Sequence, residues 1–167
     1  MKIYKIYKVV NQNDGKPIYI GCTSQQLNRR LWQHNHDVKS QVYNQFVLKG
    51  ENNLEIELIM EKECTTAQAM KMEELITYIY GKNYPLCNHN AGGSFYENNL
   101  DEPLYDSIHT ILFEMINDNN IFPKEIFKEI AQCIANILEY DMQELTKTAL
   151  LEMDDICCEM ICNEDLY

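Results

Sequence analysis

The chain has 167 residues, enough for one domain or for one domain with a helical appendage, and its 46% hydrophobic and 24% charged residues exclude a disordered or fibrous protein. No apolar run reaches the roughly 18 residues of a membrane span. Lysine at every third position of the N-terminus is unlike a signal peptide, and together with seven cysteines this predicts an intracellular, reducing compartment, either cytoplasm or nucleus. The formal charge of −12 argues against nucleic-acid binding, because phosphate contacts need Lys and Arg.

This charge is divided very unevenly along the chain. Residues 1–95 hold 11 Lys and Arg against 9 Asp and Glu, a net charge of +2, whereas residues 96–167 hold 3 against 17, a net charge of −14. Between them lies Asn90–Ser94, a turn-forming stretch with two adjacent glycines. The sequence therefore predicts two domains, 1–95 and 96–167, and the argument against nucleic acid applies only to the second.

The N-terminal segment predicts a β-hairpin followed by a helix. Ile3–Val10 and Pro17–Gly21 are rich in strand-forming Ile, Tyr and Val, and an Asp-Gly turn signal separates them. From Gln25 to about Val38 apolar residues recur at helical spacing. Thr23 or Ser24 is expected to cap this helix, since a side-chain oxygen there can accept a hydrogen bond from a free N–H.

The rest of the first domain predicts helix, strand and helix in turn. A short helix is expected over Gln41–Leu48 and a half-buried strand over Leu54–Met60. A longer helix, capped at Thr65 or Thr66, is expected to run through Tyr80 and to be stopped by Gly81 and Pro85. The order ββααβα predicts an α+β fold with a small, mainly antiparallel three-stranded sheet flanked by helices.

The second domain reads as entirely helical. Helices are predicted over Leu104–Met115, from Pro123 to about Glu139, and over Asp141–Cys162, with no strand signals between them. The last helix carries three cysteines that, with Cys133, leave a zinc site open as an interpretation. Because the spacing lacks paired C-x2-C units, buried free thiols are the favoured interpretation.

Five polar residues of the first domain are candidates for a shared site. Tyr7 and Tyr19 lie on the two hairpin strands, and Arg30 and His34 share one helix face at spacing i, i+4. Glu73 has apolar residues at i+3 and i+7, so its carboxylate is expected to face the sheet, where burial costs several kcal/mol unless the charge is paired or metal-bound. Arg29 and Glu74 are the alternatives in register, but neither has the same helical partners.

In order, these residues resemble the GIY-YIG nuclease family. The resemblance covers roughly residues 3–93 and rests on Lys5-Ile6-Tyr7, Tyr19-Ile20-Gly21, the Arg-x-x-x-His spacing, Glu73, and Asn88 followed by Gly92-Gly93. The chain departs from the family at Lys5, where the family name has Gly, and the substitution is expected to be accommodated on an edge strand. Any single match is weak, whereas the ordered set at compatible spacings is specific.

The resemblance implies a DNA endonuclease that uses Mg²⁺ or Mn²⁺, as in DNA repair or recombination. Glu73 would hold the metal, because hard cations prefer carboxylate oxygen, and Arg30 would bind the phosphate through its planar fork. Tyr7 or Tyr19 would activate water, which requires metal or Arg30 to lower the pKa of a phenol. His34 would assist proton transfer or hold a tyrosine, and Asn88 would contact the phosphate or brace the site.

Arginine and lysine around this site define the expected DNA-binding surface. Arg29 and Arg30 would form its centre, and the contributors would be Lys5, Lys8 and Lys16. The acidic second domain predicts either a shield over this surface or, through its apolar stripes, a homodimer or a protein partner. The alternative to an enzyme is a catalytically inactive nuclease fold that binds DNA or assembles with proteins. The family is common in large DNA viruses, so a viral source is one expectation.

Overall fold

The computed structural model describes residues 1–88, 132–134 and 136–137. In residues 1–88 it has three strands, three α-helices and one 3-10 turn. Their bounds are β1 Lys2–Asn11, β2 Lys16–Thr23, α1 Leu27–His36, α2 Gln41–Gln45, the 3-10 turn Val47–Lys49, β3 Leu54–Cys64 and α3 Thr66–Asn83. The predicted element order and the α+β class are confirmed.

The sheet is antiparallel with strand order β2-β1-β3, so β1 is the central strand. The hairpin turn between β1 and β2 places Gly15 at φ +70°, a conformation that favours glycine. The expectation that Lys5 lies on an edge strand is wrong, because β1 pairs on both sides. Lys5 is accommodated there by an ion pair across the sheet, with its Nζ 3.2 Å from Oε2 of Glu61 on β3.

Helices cover both faces of the sheet. Alternate residues of a strand point to opposite faces, and Tyr7 and Val9 of β1 pack in a cluster with Val42 of α2. On the other face, Nζ of Lys8 lies 5.9 Å from the centre of the Tyr80 ring on α3. The functional candidates Tyr7 and Tyr19 therefore lie in the layer between the sheet and α1–α2.

The ends of the helices differ from the sequence expectation in two places. Neither Thr23 nor Ser24 caps α1. Thr23 is the last residue of β2, and the N-cap of α1 is Gln26, whose side chain makes no capping hydrogen bond. Helix α3 continues through Gly81 and ends at Asn83. Its end is explained by Pro85, since the residue before a proline is disfavoured in the helical region and Tyr84 is extended.

The first turn of α3 is as predicted. The Thr65 hydroxyl accepts a hydrogen bond from the Gln68 backbone N–H, and the Gln68 side chain accepts one from the Thr65 N–H, which completes a capping box.

Strand β3 runs four residues beyond the expected end and pairs with β1 along its length.

Within the predicted second domain, residues 132–134 and 136–137 are helical, with Ile134 and Ile137 buried. They fall inside the helix predicted from Pro123 to about Glu139. The domain boundary at residue 95 and the other predictions for residues 96–167, including the cysteine cluster at Cys157–Cys162, lie outside the described residues. In the described part of the chain, no helix has the length and apolar character needed to cross a membrane.

Candidate active site

Tyr7 is at the centre of a hydrogen-bonded cluster. Its side chain is fully buried in β1, at 0% exposure. The Arg30 Nε–H donates a hydrogen bond to the Tyr7 hydroxyl oxygen at 2.9 Å, and His34 Nε2 lies 2.9 Å from the same oxygen. The hydroxyl therefore joins the two residues that the i, i+4 spacing placed on one face of α1.

Two further side chains hold Arg30 and His34 in place. Gln33 Oε1 accepts a hydrogen bond of 3.0 Å from Nη1 of Arg30, which orients the guanidinium group. On the far side of the imidazole, His34 Nδ1 lies 2.9 Å from Oγ of Ser40, the N-cap residue of α2. The geometry of the cluster thus depends on α1, on β1 and on the start of α2.

Tyr19 on β2 completes the aromatic part of the cluster and remains partly exposed. Its ring lies edge-on to the His34 ring, with centroids 4.9 Å apart, and 6.3 Å from the ring of Tyr7. Arg30 also hydrogen-bonds to Tyr19, so one guanidinium group contacts both phenols. The planar, charged fork of Arg30 suits a phosphate-binding role.

Gly21 makes the close approach of the two tyrosines possible. A Cβ at this position would lie 2.6 Å from Cζ of Tyr7 and 2.7 Å from Cε1 of Tyr19, closer than real carbon contacts allow. Gly21 is itself buried in β2. The spacing between the phenols therefore depends on the absence of a side chain at this residue.

Glu73 of α3 brings a carboxylate to the same site. The carboxylate accepts a hydrogen bond from the Cys22 backbone N–H, and the positive charge of Arg30 acts to lower its pKa. Burial nevertheless raises the pKa of Glu73 to about 7. Its neighbour Glu74 instead pairs with Lys71, with Oε2 3.1 Å from Nζ, so the register that favours Glu73 agrees with the structure.

Burial also sets the protonation of the other groups. It lowers the pKa of His34 to about 4, with a smaller contribution from Arg30, so the imidazole is neutral at pH 7. Burial raises the pKa of both Tyr7 and Tyr19 above the ordinary value, and the nearby Arg30 offsets only part of this. Without metal or DNA, desolvation of the two phenols therefore outweighs the expected lowering of their pKa by Arg30.

Comparison with known families identifies the part of the chain that carries this cluster. Residues 3–84 match the family model described as the GIY-YIG catalytic domain. Residues 3–84 therefore form a GIY-YIG domain. Comparison with curated proteins gave no significant match, and neither did comparison with solved structures. The GIY-YIG domain is a nuclease fold, found generally in endonucleases.

Asn88 lies just beyond the residues that match the GIY-YIG model. Its side-chain amide makes two hydrogen bonds to the backbone of Ile20 in β2, accepting one from the N–H at 3.1 Å and donating one to the carbonyl at 2.7 Å. The neighbouring Cys87 N–H donates to the carbonyl of Ile18. This segment therefore extends the open edge of β2 next to Tyr19, which corresponds to the bracing role rather than to a phosphate contact.

The basic residues expected around the GIY-YIG site differ in exposure: two are exposed and two are covered in ion pairs. Arg29 is exposed on α1, and Lys16 is exposed at the hairpin turn, 3.8 Å from a carboxylate oxygen of Asp14. Lys5 and Lys8 form ion pairs of 3.2 Å with glutamates of β3 and are largely covered. The expectation that Lys5 and Lys8 contribute to an open basic surface is therefore wrong, because acidic residues of the adjacent strand neutralise them.

The outward face of α1 carries the exposed Trp32. Its side chain is 60% exposed, and its ring stacks on that of His36 with centroids 4.6 Å apart and an interplanar angle of 14°. Trp32 follows Arg30 by two residues, which places it on the opposite side of α1 from the cluster.

The donor set at Glu73 fits one hard divalent cation. In the described residues no group of three His, Cys, Asp or Glu side chains is arranged to hold a metal ion. A site with a single carboxylate suits a cation that keeps several waters and takes further oxygens from a phosphate, as Mg²⁺ does. The raised pKa of Glu73 indicates an incompletely compensated carboxylate, which a cation would neutralise.

The sequence interpretation missed the contacts of Gln33 and Ser40 and the steric role of Gly21. Gln33 follows Arg30 at i+3, a spacing at which helical side chains meet. Ser40 directly precedes a helical segment, which is a signal for an N-cap but not for contact with His34. The contact between Ser40 and His34 depends on how the loop after α1 turns back, and no local pattern specifies that turn.

Proposed function

We propose that this GIY-YIG protein is a divalent-metal-dependent DNA endonuclease that hydrolyses phosphodiester bonds. The observation that carries the proposal is the position of Arg30, whose guanidinium group contacts both tyrosines while Glu73 lies close by. An anion binder, a phenol and a partly buried carboxylate can bind the phosphate, activate water and hold a cation for hydrolysis of a phosphodiester. Family membership gives independent support, since nucleases of this fold generally act with divalent metals.

Arg30 binds the scissile phosphate in this proposal. Arginine stays charged at all working pH values and offers a rigid fork of donors that matches phosphate oxygens. Its Nε is held by Tyr7 and its Nη1 by Gln33, so the guanidinium group is oriented before substrate arrives. Preorganised donors of this kind stabilise developing charge without a reorganisation cost.

Glu73 holds the metal ion, Mg²⁺ or Mn²⁺. When bound, the cation would polarise the phosphate, stabilise the leaving 3′ oxygen and offset the carboxylate charge that raises the pKa of Tyr19. The carboxylate itself is positioned by α3 and by the Cys22 backbone N–H. Its partial burial favours exchange of a proton for a cation as the metal binds.

Tyr19 is the tyrosine that we assign to the attacking water. Tyr7 is fully buried and its oxygen is engaged by Arg30 and His34, whereas Tyr19 is partly exposed. Tyr19 must first lose its own proton to solvent, which Arg30 favours and which a cation at Glu73 would favour further by offsetting the carboxylate charge. The phenolate then takes a proton from water while the water oxygen bonds to phosphorus. The bond from phosphorus to the 3′ oxygen then breaks, its electron pair stays on that oxygen, and solvent supplies the proton.

Tyr7, His34 and Asn88 support the reacting groups. Tyr7 connects Arg30 to His34, and the neutral His34 holds the phenol in place. Asn88 fixes the backbone of β2 beside Tyr19. DNA is the proposed substrate, with Arg29 as the exposed contact nearest to Arg30 along α1 and Lys16 at the hairpin turn as a second one.

The test compares phenylalanine variants on supercoiled, linear and branched DNA with Mg²⁺ or Mn²⁺. Tyr19→Phe should slow nicking by at least about 100-fold with little change in melting temperature. Tyr7→Phe should also destabilise the fold by about 1–3 kcal/mol, because it leaves buried groups of Arg30 and His34 unpaired. Tyr4→Phe is the matched control, since the Tyr4 hydroxyl makes an exposed bond to Thr66 outside the cluster.

Two results would contradict this proposal in different ways. Nicking by Tyr19→Phe at the rate of wild type would remove the assignment of Tyr19 to the water. DNA binding by wild type without nicking of any substrate would refute the endonuclease and support the inactive binding module, which the raised pKa values of both tyrosines would then explain.

A further inference from the structure

The hydrogen bonds of the cluster form a chain with a defined direction. It runs from Arg30 through Tyr7 and His34 to Ser40, with distances of 2.9 Å at each of the three links. A guanidinium group only donates, so the Tyr7 oxygen must accept from Arg30. The direction of the first link is therefore certain from chemistry alone.

The second link follows from the burial of Tyr7. Its hydroxyl proton needs an acceptor, because a buried O–H without one costs about 1–3 kcal/mol. Among the contacts of this oxygen in the described residues, Arg30 has no lone pair to offer, which leaves His34 Nε2. The Tyr7 O–H thus donates to His34.

The third link is then determined by the protonation of His34. Because burial lowers the pKa of His34 to about 4, the ring at neutral pH carries one proton. With Nε2 acting as acceptor, that proton is on Nδ1 and is donated to the Ser40 oxygen. In the opposite tautomer, Nε2–H would compete with Arg30 for the Tyr7 oxygen, and the Tyr7 proton would lose its acceptor.

We propose that Ser40 is a positioning residue that keeps His34 in the Nδ1–H tautomer and, through Tyr7, holds Arg30 in the orientation that binds phosphate. Ser40 is not among the candidate site residues identified from the sequence. It is the N-cap residue of α2, and its hydroxyl oxygen also lies 3.5 Å from the Tyr43 backbone nitrogen. The effect on Arg30 rests on the proposed function, whereas the tautomer does not.

The first test is ¹⁵N NMR of the full-length chain with labelled histidine, without DNA or metal. The His34 signals are assigned by their loss in His34→Gln. Wild type and Ser40→Thr should show a protonated Nδ1 and an unprotonated Nε2. Ser40→Ala should show a mixture of tautomers or the Nε2–H form, because Nδ1–H loses its acceptor. An Nε2–H tautomer in wild type, or an unchanged tautomer in Ser40→Ala, would overturn the proposal.

A control variant separates the effect of Ser40→Ala on the His34 tautomer from the effect of losing a helix N-cap. Thr65→Ala removes an N-cap hydroxyl of the same kind from α3, and Thr65 is not part of the hydrogen-bonded chain. Its His34 signals should match wild type. If they changed as in Ser40→Ala, general loosening of the fold would explain both variants and the proposal would fall.

The second test measures nicking. Ser40→Ala should lower kcat/KM by about tenfold, the equivalent of about one hydrogen bond, and Ser40→Thr should restore it to within about twofold. Equal rates in Ser40→Ala and wild type would overturn the link to Arg30. If the NMR result holds but wild type nicks no DNA, the proposed function fails while the tautomer assignment stands, so the two failures are distinguishable.

Discussion

The two sides of the active site obtain their order in different ways. The α1 side, formed by Arg30, His34, Tyr7 and Ser40, is held together by hydrogen bonds between its own side chains. The α3 side consists of Glu73, whose carboxylate is buried beside a single backbone donor and the charge of Arg30. The α1 side is therefore preorganised within the protein, whereas in the proposed function the α3 side would be completed by a cation from solution.

Burial acts on both sides and removes charge from each. It raises the pKa of Glu73 to about 7 and lowers that of His34 to about 4, so between these values both groups favour their neutral forms. Arg30 keeps its positive charge throughout this range. In the absence of metal the cluster thus carries a positive charge in this pH range, and this charge favours an anion such as a phosphate.

The largest expected effect comes from removing the charge of the α3 side. Glu73→Gln should lower the nicking rate on the order of 100- to 1,000-fold, because the metal loses its protein ligand. The melting temperature should not fall, since a desolvated carboxylate is replaced by a neutral amide. Mg²⁺ or Mn²⁺ should raise the melting temperature of wild type but not of this variant, as measured by thermal denaturation.

Glu74→Gln provides the matched control for that variant. Glu74 is the next residue on α3, and its carboxylate forms a half-buried ion pair with Lys71. Its nicking rate and its response to metal should stay within about twofold of wild type. A comparable loss of nicking in both variants would contradict the assignment of the metal to Glu73 rather than to Glu74.

The second effect concerns the spacing between the two sides. Gly21→Ala should destabilise the fold by about 1–3 kcal/mol and reduce nicking, because its Cβ would force Tyr7 and Tyr19 apart. Gly81→Ala is the control: it lies within α3 with no atom within 4 Å of a new Cβ, so it should be neutral or stabilising. Equal stability of the two variants in denaturant unfolding would contradict the close approach.

The smallest effect is the pH dependence of stability. The folded pKa of His34 is lowered from 6.5 to about 4, so the unfolded state binds the proton more readily and stability falls as pH drops through this window. The folded pKa of Glu73 is raised from 4.5 to about 7, so its contribution has the opposite sign and falls as pH rises through that window.

Melting temperatures at pH 5 and pH 7 separate the two contributions. On going from pH 5 to pH 7, His34→Gln should lose a few degrees relative to the change seen in wild type, because only the Glu73 contribution remains. Glu73→Gln should gain a few degrees by the same comparison. Parallel changes in the two variants would show that burial does not shift the two groups in opposite directions.

Much of this architecture is predictable from the sequence because it depends on local patterns. Strand-forming runs, the Asp14-Gly15 turn and the capping box at Thr65 specify the order of elements. The i, i+4 spacing places Arg30 and His34 together, and the apolar partners of Glu73 turn it toward the sheet. The family match confirms the identification that these residues suggested.

The parts that could not be predicted depend on tertiary packing. The strand order decides that Lys5 is central and paired with Glu61, and local alternation carries no information on that order. The pKa values of the tyrosines depend on how far α1 and α2 cover them. The difference in burial between Tyr7 and Tyr19 and the contact of Ser40 with His34 follow from the same packing.

The stacked pair of Trp32 and His36 has a practical consequence. Trp32 is the single tryptophan of the chain, so all indole fluorescence of the protein arises on the helix that carries Arg30 and His34. Because the indole is exposed, its emission responds to the immediate surroundings of α1. The intrinsic fluorescence of the unlabelled, full-length protein is thus an optical reporter on one helix, and DNA titrations can follow that helix without an added dye.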